Sequence, residues 1–270
     1  MPADDGARDP RAIRETAHLL ADAAREATLP YFRSDRLGTD NKHGPGGFDP
    51  VTEADRGAER AMRDLLAQRR PQDAILGEEF GAAPGTSGLT WVLDPVDGTR
   101  AFVSGAPSWG VLIALSDATG PLYGLIDQPY IGERFEGGFG AAGMTGPRGA
   151  RTLGVRGDCP LAGAILMTTF PEVGTAAEGA AFAELSRRVQ LTRYGFDCYA
   201  YALLAAGHID LVVEAGLAPH DIHAPIAVIE AAGGIVTDWR GGPAHGGGRV
   251  VAAAGREQHA AALAILARTP

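Results

Sequence analysis

Two aspartates that directly follow an apolar segment are the residues of this chain best suited to metal chemistry. Residues 91–93 (Trp-Val-Leu) are predicted to form a buried strand. Asp94 and Asp97 follow, and Gly98 and Thr99 come next. Hard cations such as Mg²⁺ bind oxygen ligands and often share them with substrate phosphates, whereas backbone N–H groups at a turn or helix start suit an anion. This segment therefore predicts metal-assisted phosphate chemistry.

Other acidic residues also stand at the ends of predicted strands or at the starts of predicted helices. They are Glu53, Asp55, Glu78, Glu79 and Asp221. In layered α/β proteins, functional groups collect at such ends because a rigid scaffold positions them there. Carboxylates brought together repel one another unless a cation neutralises them or some are protonated. Each residue alone could be an ordinary turn or a solvated side chain, but the ordered set indicates a metal site.

Length, composition and charge restrict the class of protein. The chain has 270 residues, 45% of them apolar and 21% charged, which fits one large domain or two packed halves. Its net charge of −9 argues against nucleic acid or an anionic membrane surface as the main partner, because both favour a basic face. The apolar runs are too short to span a bilayer, and the polar start lacks a signal-peptide core. We therefore expect a cytoplasmic protein with no membrane or nucleic-acid partner.

The hydrophobic periodicity predicts helices alternating with strands, and hence a layered α/β architecture. The predicted helices lie at residues 13–31, 52–66, 177–189, 197–206, 222–232 and 257–267. The predicted strands lie at residues 74–77, 91–93, 109–115, 122–126, 133–135, 164–168, 209–213, 235–237 and 249–252. Residues 38–48, rich in Gly and charge, are predicted to be a mobile loop. Residues 137–149, with six glycines, are predicted to be a turn-rich connection.

This connection suggests a division into two halves. The N-terminal half, residues 1–145, would be an α+β unit that carries most of the metal ligands. The C-terminal half, residues 146–270, would be an α/β unit that carries Asp221 and the leaving-group contacts.

Four segments, in this order along the chain, resemble the inositol monophosphatase family. They are residues 51–55 (VTEAD), 75–79 (ILGEE), 91–99 (WVLDPVDGT) and 220–234 (HDIHAPIAVIEAAGG). The Asp-Pro-x-Asp-Gly-Thr signature with a downstream Asp is highly specific, and the match covers nearly the whole chain. The resemblance implies an αβαβα sandwich of the inositol monophosphatase and fructose-1,6-bisphosphatase type. It also implies a Mg²⁺-dependent, lithium-sensitive phosphomonoesterase that is commonly a homodimer.

The resemblance also implies a metal-ligand set. Glu78, Asp94 and the carbonyl of Val96 would bind the first Mg²⁺ ion, which makes Glu78 part of the catalytic group as well. Asp94, Asp97 and Asp221 would bind the second ion. A third, weaker ion would lie near Glu78, so that the site holds two to three ions.

The remaining roles follow from the same motifs. The backbone N–H groups of Gly98 and Thr99 would bind the phosphate, and Asp55 with Thr99 would activate the attacking water. Glu79 would support the metal ligands. Glu53 departs from the family pattern, because many members carry a small residue there, and its carboxylate could contact the third ion.

Three features favour the histidinol-phosphate phosphatase branch of the family. They are Arg100 after the Asp-Gly-Thr signature, residues 126–135, and residues 195–201 together with the strand that ends at Glu214. Histidinol phosphate carries an ammonium and an imidazole, which Asp197 and Glu214 would recognise. Asp197 could instead be the N-cap of its helix. A Glu also accepts hydrogen bonds from hydroxyls, so inositol 1-phosphate or another sugar phosphate stays an alternative substrate.

A non-catalytic, metal- or phosphate-binding regulator is a remote alternative, and it would be expected to lack at least one ligand, whereas all are present. His220 and His223 have a spacing that could suggest zinc, but their neighbours are the family Asp and a helix start. An orienting or structural role is therefore favoured for both. Tyr199 and Tyr201 are predicted to belong to the core or to the rim of the site.

Overall fold

The computed structural model describes residues 7–35, 39–41 and 50–270. The helices described are α1 (Pro10–Thr28), α2 (Glu53–Arg69), α3 (Thr99–Ser104), α4 (Ala176–Ser186), α5 (Asp197–Ala205), α6 (Pro219–Ala231) and α7 (Arg256–Leu266). A 3₁₀ turn covers Leu161–Gly163. The strands described are β1 (Thr39–Asn41), β2 (Pro50–Thr52), β3 (Ala74–Gly77), β4 (Gly81–Ala83), β5 (Thr90–Asp97), β6 (Gly110–Asp117), β7 (Gly120–Gln128), β8 (Glu133–Gly138), β9 (Ala141–Gly146), β10 (Gly149–Thr152), β11 (Ile165–Thr168), β12 (Leu191–Tyr194), β13 (Leu211–Leu217), β14 (Ile235–Asp238) and β15 (Gly248–Ala253).

The strands form two large sheets. The first has eight strands in the order β10-β9-β8-β7-β6-β5-β3-β4, and its only parallel pair is β3 with β5. The second has five strands in the order β12-β11-β13-β15-β14, in which β11 runs parallel to both of its neighbours. In addition, β1 and β2 form a short antiparallel pair.

Helices cover both sheets and separate them, which produces five layers. Helices α1 and α2 pack on one face of the eight-stranded sheet, α5 and α6 lie between the two sheets, and α4 and α7 cover the outer face of the five-stranded sheet. The apolar side chains of β6 explain why helices pack on both faces of this sheet. Leu112 faces the middle helices, whereas Val111 and Ile113 face α1 and α2. Alternation along a doubly buried strand places apolar side chains on both faces. The predicted αβαβα sandwich is confirmed.

The prediction of a turn-rich connection at residues 137–149 is wrong, because this segment contains the end of β8, the whole of β9 and the start of β10. Glycines in this sheet allow close packing against a helix in addition to forming turns. A Cβ at Gly137 would lie 2.5 Å from the Cα of Val228 in α6, and one at Gly124 would lie 2.4 Å from the carbonyl oxygen of Ala224. These glycines allow α6 to approach the sheet closely.

The chain passes from one sheet to the other between Thr152, where the eight-stranded sheet ends, and Ile165, where the five-stranded sheet begins. The division at residue 145 stays a proposal. Of the predicted mobile loop, residues 39–41 form β1, whereas residues 38 and 42–48 lie outside the described residues. No helix among the described residues is long and apolar enough to cross a membrane.

Candidate active site

Strand β5 carries the central pair of aspartates. The strand continues through Asp94 to Asp97, beyond the end that the sequence predicted, and a bulge interrupts its pairing with β6 between these residues. Pro95 lacks an N–H group and therefore suits such an irregular position. A carboxylate oxygen of Asp94 accepts a hydrogen bond from the N–H of Val96 at 3.0 Å. The bulge redirects the side chains, so that both aspartates line one pocket.

Two neighbouring elements bring further acidic side chains to this pocket. Glu78 follows β3, which is parallel to β5, and its N–H donates to the carbonyl of Leu93 at 3.2 Å. Asp221 lies in the first turn of α6, where its carboxylate accepts a hydrogen bond from the N–H of Ala218 at 2.7 Å. The pocket has a volume of about 410 Å³, and residues from both sheets line it. This size accommodates a small phosphorylated molecule.

The potential metal ligands form two groups that share Asp94. Glu78, Asp94 and His220 form one group, and Asp94, Asp97 and Asp221 form the other; within each, one ligand atom per residue lies within 4.8 Å of the others. Burial raises the pKa values of Asp94 and Asp97 well above the usual range, and neighbouring carboxylates raise them further. Divalent cations would relieve this repulsion, so the donor set fits them.

The pocket wall next to Asp197 depends on Gly98. This residue is in the left-handed region, with φ of +83°, and a Cβ there would lie 2.7 Å from the carboxyl carbon of Asp197. Any other residue would therefore be strained and would collide with the pocket wall. Asp97 is held by the start of α5, because its carboxylate accepts a hydrogen bond from the N–H of Cys198 at 2.6 Å.

Asp55 and Thr99 approach each other beside the ligand groups. The hydroxyl of Thr99 lies 3.4 Å from a carboxylate oxygen of Asp55 and 3.1 Å from the carbonyl oxygen of Val96. The other oxygen of Asp55 accepts a hydrogen bond from the N–H of Thr52 in the capping box that begins α2. Burial raises the pKa of Asp55 to about 6. A carboxylate with such a pKa is a suitable proton acceptor near neutral pH.

Glu59 is a positioning residue that the sequence analysis did not identify. Its buried carboxylate accepts hydrogen bonds from the N–H groups of Glu79 and Phe80 at 2.7 and 3.2 Å, and it pairs with Arg63 at 2.7 Å. It therefore holds the turn that carries Glu78. The available signal was its spacing on α2, four residues after Asp55 and four before Arg63.

Two predicted residues do not join the ligand groups. The side chain of Glu53 is 59% exposed and pairs with Arg56 at 3.3 Å, so it points to solvent at the start of α2. Glu79 contributes its N–H to the contact with Glu59. Neither carboxylate belongs to the two groups found among the described residues. A third-ion role for Glu53 or Glu79 stays a prediction.

The predicted leaving-group residues line the same pocket. Asp197 is the first residue of α5 rather than its N-cap, which is Phe196, so the capping alternative is wrong. Asp197 has a positive φ of 44°, and its carboxylate accepts a hydrogen bond from Ser108 at 3.4 Å. Arg100 lies at the rim, with its guanidinium 4.8 Å from the ring centre of Phe170.

Glu214 is buried in the pocket wall. It accepts hydrogen bonds from the hydroxyl of Thr168 at 3.1 Å and from the N–H and hydroxyl of Thr169 at 2.6 and 2.9 Å. Burial raises its pKa to about 7. Burial also raises the pKa of Asp197, to about 6. This side of the pocket is therefore acidic and poorly solvated.

The structure gives different surroundings to the two histidines and to the two tyrosines that the sequence analysis treated as pairs. His223 is held inside the protein by Ser116 and by the carbonyl of His245, both at 2.7 Å, whereas His220 lines the pocket. Tyr199 donates to Glu133 at 2.7 Å, away from the site. Tyr201 lines the pocket, and its buried hydroxyl has no hydrogen-bond partner among the described residues.

We expect a divalent cation to raise the Tm by roughly 5–10 °C at saturation, and by more at a pH of about 8 than at about 5. Burial and neighbouring carboxylates raise the folded-state pKa of Asp94 well above the unfolded value near 4, so the metal-free protein loses stability as the pH rises above that unfolded value. A bound cation displaces the proton of such a ligand carboxylate, so its stabilising effect grows with pH. Thermal unfolding with MgCl₂ or EDTA at both pH values measures the difference. An equal rise in Tm at both pH values would contradict the predicted coupling between cation binding and proton release.

Comparisons with known proteins agree with this geometry. The model of the inositol monophosphatase family matches residues 9–269. The bifunctional phosphatase IMPL2 of Arabidopsis thaliana, described as chloroplastic, is 42% identical over 83% of this chain, and the match spans 63% of its length. A histidinol-phosphatase of Streptomyces coelicolor is 36% identical over 89% of this chain and 91% of its own.

A solved structure shows the same fold. The inositol monophosphatase from Zymomonas mobilis superposes with a TM-score of 0.83 and 39% sequence identity, over 96% of this chain and all of the other. The predicted family is therefore confirmed: this chain belongs to the inositol monophosphatase family, whose members are metal-dependent phosphatases that act on small phosphorylated substrates.

Proposed function

We propose that this protein is a Mg²⁺-dependent phosphomonoesterase that hydrolyses L-histidinol phosphate to L-histidinol and phosphate, a step of histidine biosynthesis. The observation that carries the proposal is the acidic wall beside the ligand groups, formed by Glu214 and Asp197. The similarity to the Streptomyces coelicolor relative, which is named a histidinol-phosphatase, supports this activity.

The contacts of Glu214 favour a cationic leaving group. Its three hydrogen-bond donors, from Thr168 and Thr169, are all neutral, and no ion pair to it occurs among the described residues. A carboxylate offers about four acceptor positions, so one stays available. The ammonium of histidinol would supply both the fourth hydrogen bond and the opposite charge, and Asp197 adds a second carboxylate on the same side.

Two further residues support recognition of the rest of the leaving group. Phe170 is 42% exposed at the rim, where its ring could stack on an imidazole. Arg100 lies over the same ring and therefore limits its movement.

The proposed mechanism assigns a task to each group of residues. Divalent cations bound by the ligand groups would make water a better nucleophile and stabilise the departing alkoxide. Thr99 lies between Asp55 and the pocket, so the pair can orient the attacking water and accept its proton. The backbone N–H groups of Gly98 and Thr99 would hold the phosphate at the turn before α3.

An inositol or other sugar phosphate is the second candidate substrate, because the Zymomonas mobilis structure named an inositol monophosphatase is 39% identical. The carboxylates of the acidic wall could accept hydrogen bonds from hydroxyls as well. A cytoplasmic location, a homodimeric assembly and an occupancy of two to three Mg²⁺ ions complete the proposal, with no role for nucleic acid or membrane.

The substrate proposal is tested by comparing kcat/KM for L-histidinol phosphate and inositol 1-phosphate, with Mg²⁺ or with EDTA. We expect a large preference for histidinol phosphate and loss of both activities with EDTA. A preference for inositol 1-phosphate would support the phosphatase activity but would overturn the assignment of histidinol phosphate as the substrate. Activity on neither, with Mg²⁺ present, would favour the non-catalytic regulator after a wider panel of phosphate esters had failed.

The Glu214→Gln variant tests the acidic wall itself. We expect kcat/KM for histidinol phosphate to fall by about 10- to 100-fold, the value of a hydrogen bond to a charged group, with a smaller loss for inositol 1-phosphate. Glu172→Gln, the same change on the exposed segment between β11 and α4, is the matched control and should change neither value. Equal losses for the two esters would show that Glu214 does not select an ammonium.

A further inference from the structure

The first turn of α6 presents two different kinds of potential ligand to the pocket. Asp221 contributes a carboxylate, and the residue before it, His220, contributes an imidazole. A ring nitrogen of His220 lies within 4.8 Å of a carboxylate oxygen of both Glu78 and Asp94. The ligands of an octahedral cation with bonds of about 2.1 Å are roughly 3 to 4 Å apart, so small side-chain rotations would close this group on an ion.

The surroundings of His220 leave its ring nitrogens available. Among the described residues, its closest polar contact is a carboxylate oxygen of Asp221 at 3.5 Å, which is long for a hydrogen bond. Asp221 does not need this contact for orientation, because the N–H of Ala218 already holds its other oxygen. His223, three residues later, uses both ring nitrogens in contacts of 2.7 Å and is structural by comparison.

We propose that His220 is a nitrogen ligand of the cation held by Glu78 and Asp94, and that this position binds a first-row transition dication more tightly than Mg²⁺. Mg²⁺ prefers oxygen ligands and parts with its water reluctantly, whereas imidazole is a good ligand for Co²⁺, Ni²⁺ and Zn²⁺. The second group, Asp94 with Asp97 and Asp221, offers only oxygen and keeps the preference for Mg²⁺. This inference depends on the metal dependence in the proposed function and not on the substrate.

The test measures metal binding directly. Metal-stripped protein is titrated with Co²⁺ and with Mg²⁺ by isothermal calorimetry, and the visible spectrum of bound Co²⁺ is recorded. We expect His220→Phe to weaken Co²⁺ binding by about 10-fold or more, to change the Co²⁺ spectrum and to leave Mg²⁺ binding nearly unchanged. His208→Phe removes an exposed histidine outside the pocket and should behave as the unmodified protein.

Unchanged Co²⁺ affinity and spectrum in a folded His220→Phe variant would overturn the proposal. If that variant does not fold, pulsed EPR of the unmodified protein loaded with Mn²⁺ decides the question, because a directly bound imidazole produces a nitrogen hyperfine coupling. Absence of this coupling would overturn the proposal equally. Hydrolysis of histidinol phosphate at saturating Mg²⁺ is measured separately, so failure of the substrate assignment is distinguishable from failure of the ligand assignment.

Discussion

Asp94→Asn is expected to lower kcat by at least roughly 10³-fold while the protein stays folded. Asp94 belongs to both ligand groups, so one substitution removes a negative charge from each cation position. Asparagine keeps an oxygen that can accept the hydrogen bond from the N–H of Val96, and the local backbone should therefore be preserved. The measurement is kcat with saturating Mg²⁺, together with the Tm of the metal-free and the metal-loaded protein.

The two Tm values separate a lost ligand from a damaged fold. Removing one of several mutually repelling carboxylates should keep or raise the Tm of the metal-free protein, whereas the rise caused by Mg²⁺ should largely disappear. Asp64→Asn, on the exposed side of α2, is the control and should leave kcat and both Tm values as they were. If Asp94→Asn kept the kcat of the unmodified protein, the assignment of both cation positions would be refuted.

Asp55→Asn is expected to lower kcat by about 10²- to 10⁴-fold, the usual contribution of a general base. Asp55 lies outside both ligand groups, so Mg²⁺ affinity should change little. In the unmodified protein, the base must be deprotonated, so kcat/KM should rise with pH through about 6, the raised pKa of Asp55. This rise should be absent from the profile of the variant.

A matched variant distinguishes a loss of the base from an effect of the Asp55 substitution on the structure. Asp55 closes the capping box at the start of α2, and Glu178 closes the corresponding box of α4, away from the pocket. Glu178→Gln should therefore lower the Tm modestly, by an effect of about 1 kcal/mol on the free energy of unfolding, without a loss of kcat. A pH profile of Asp55→Asn that still rises near pH 6 would exclude Asp55 as the base.

The family and the layered fold could be predicted because their signals are local. Asp94, Asp97, Gly98 and Thr99 lie within six residues, so a single strand end determines their proximity. The apolar alternation of β6 and the periodicity of α1 likewise record burial within one element. The roles assigned to the site residues stay predictions, although the structure brings the proposed ligands together in two groups.

The errors arose where a residue's role depends on a distant element. The glycines of β7 and β8 were informative only once α6 packed against them, some 90 to 100 residues later in the chain. Asp197 faces the pocket with a positive φ rather than capping α5, and its carboxylate accepts a hydrogen bond from Ser108, which lies far earlier in the chain. Such contacts cannot be inferred from the spacing of residues along the chain.

By itself, the sequence determined the family, the five-layered architecture and the acidic residues available for cation binding. Only the tertiary structure decided which side chains share a pocket: Glu53 points to solvent, whereas His220, for which the sequence favoured an orienting or structural role, lines the pocket. The physical reason is that local propensities shape each element separately. The position and electrostatics of a side chain depend instead on burial and on charges supplied by residues far away in sequence.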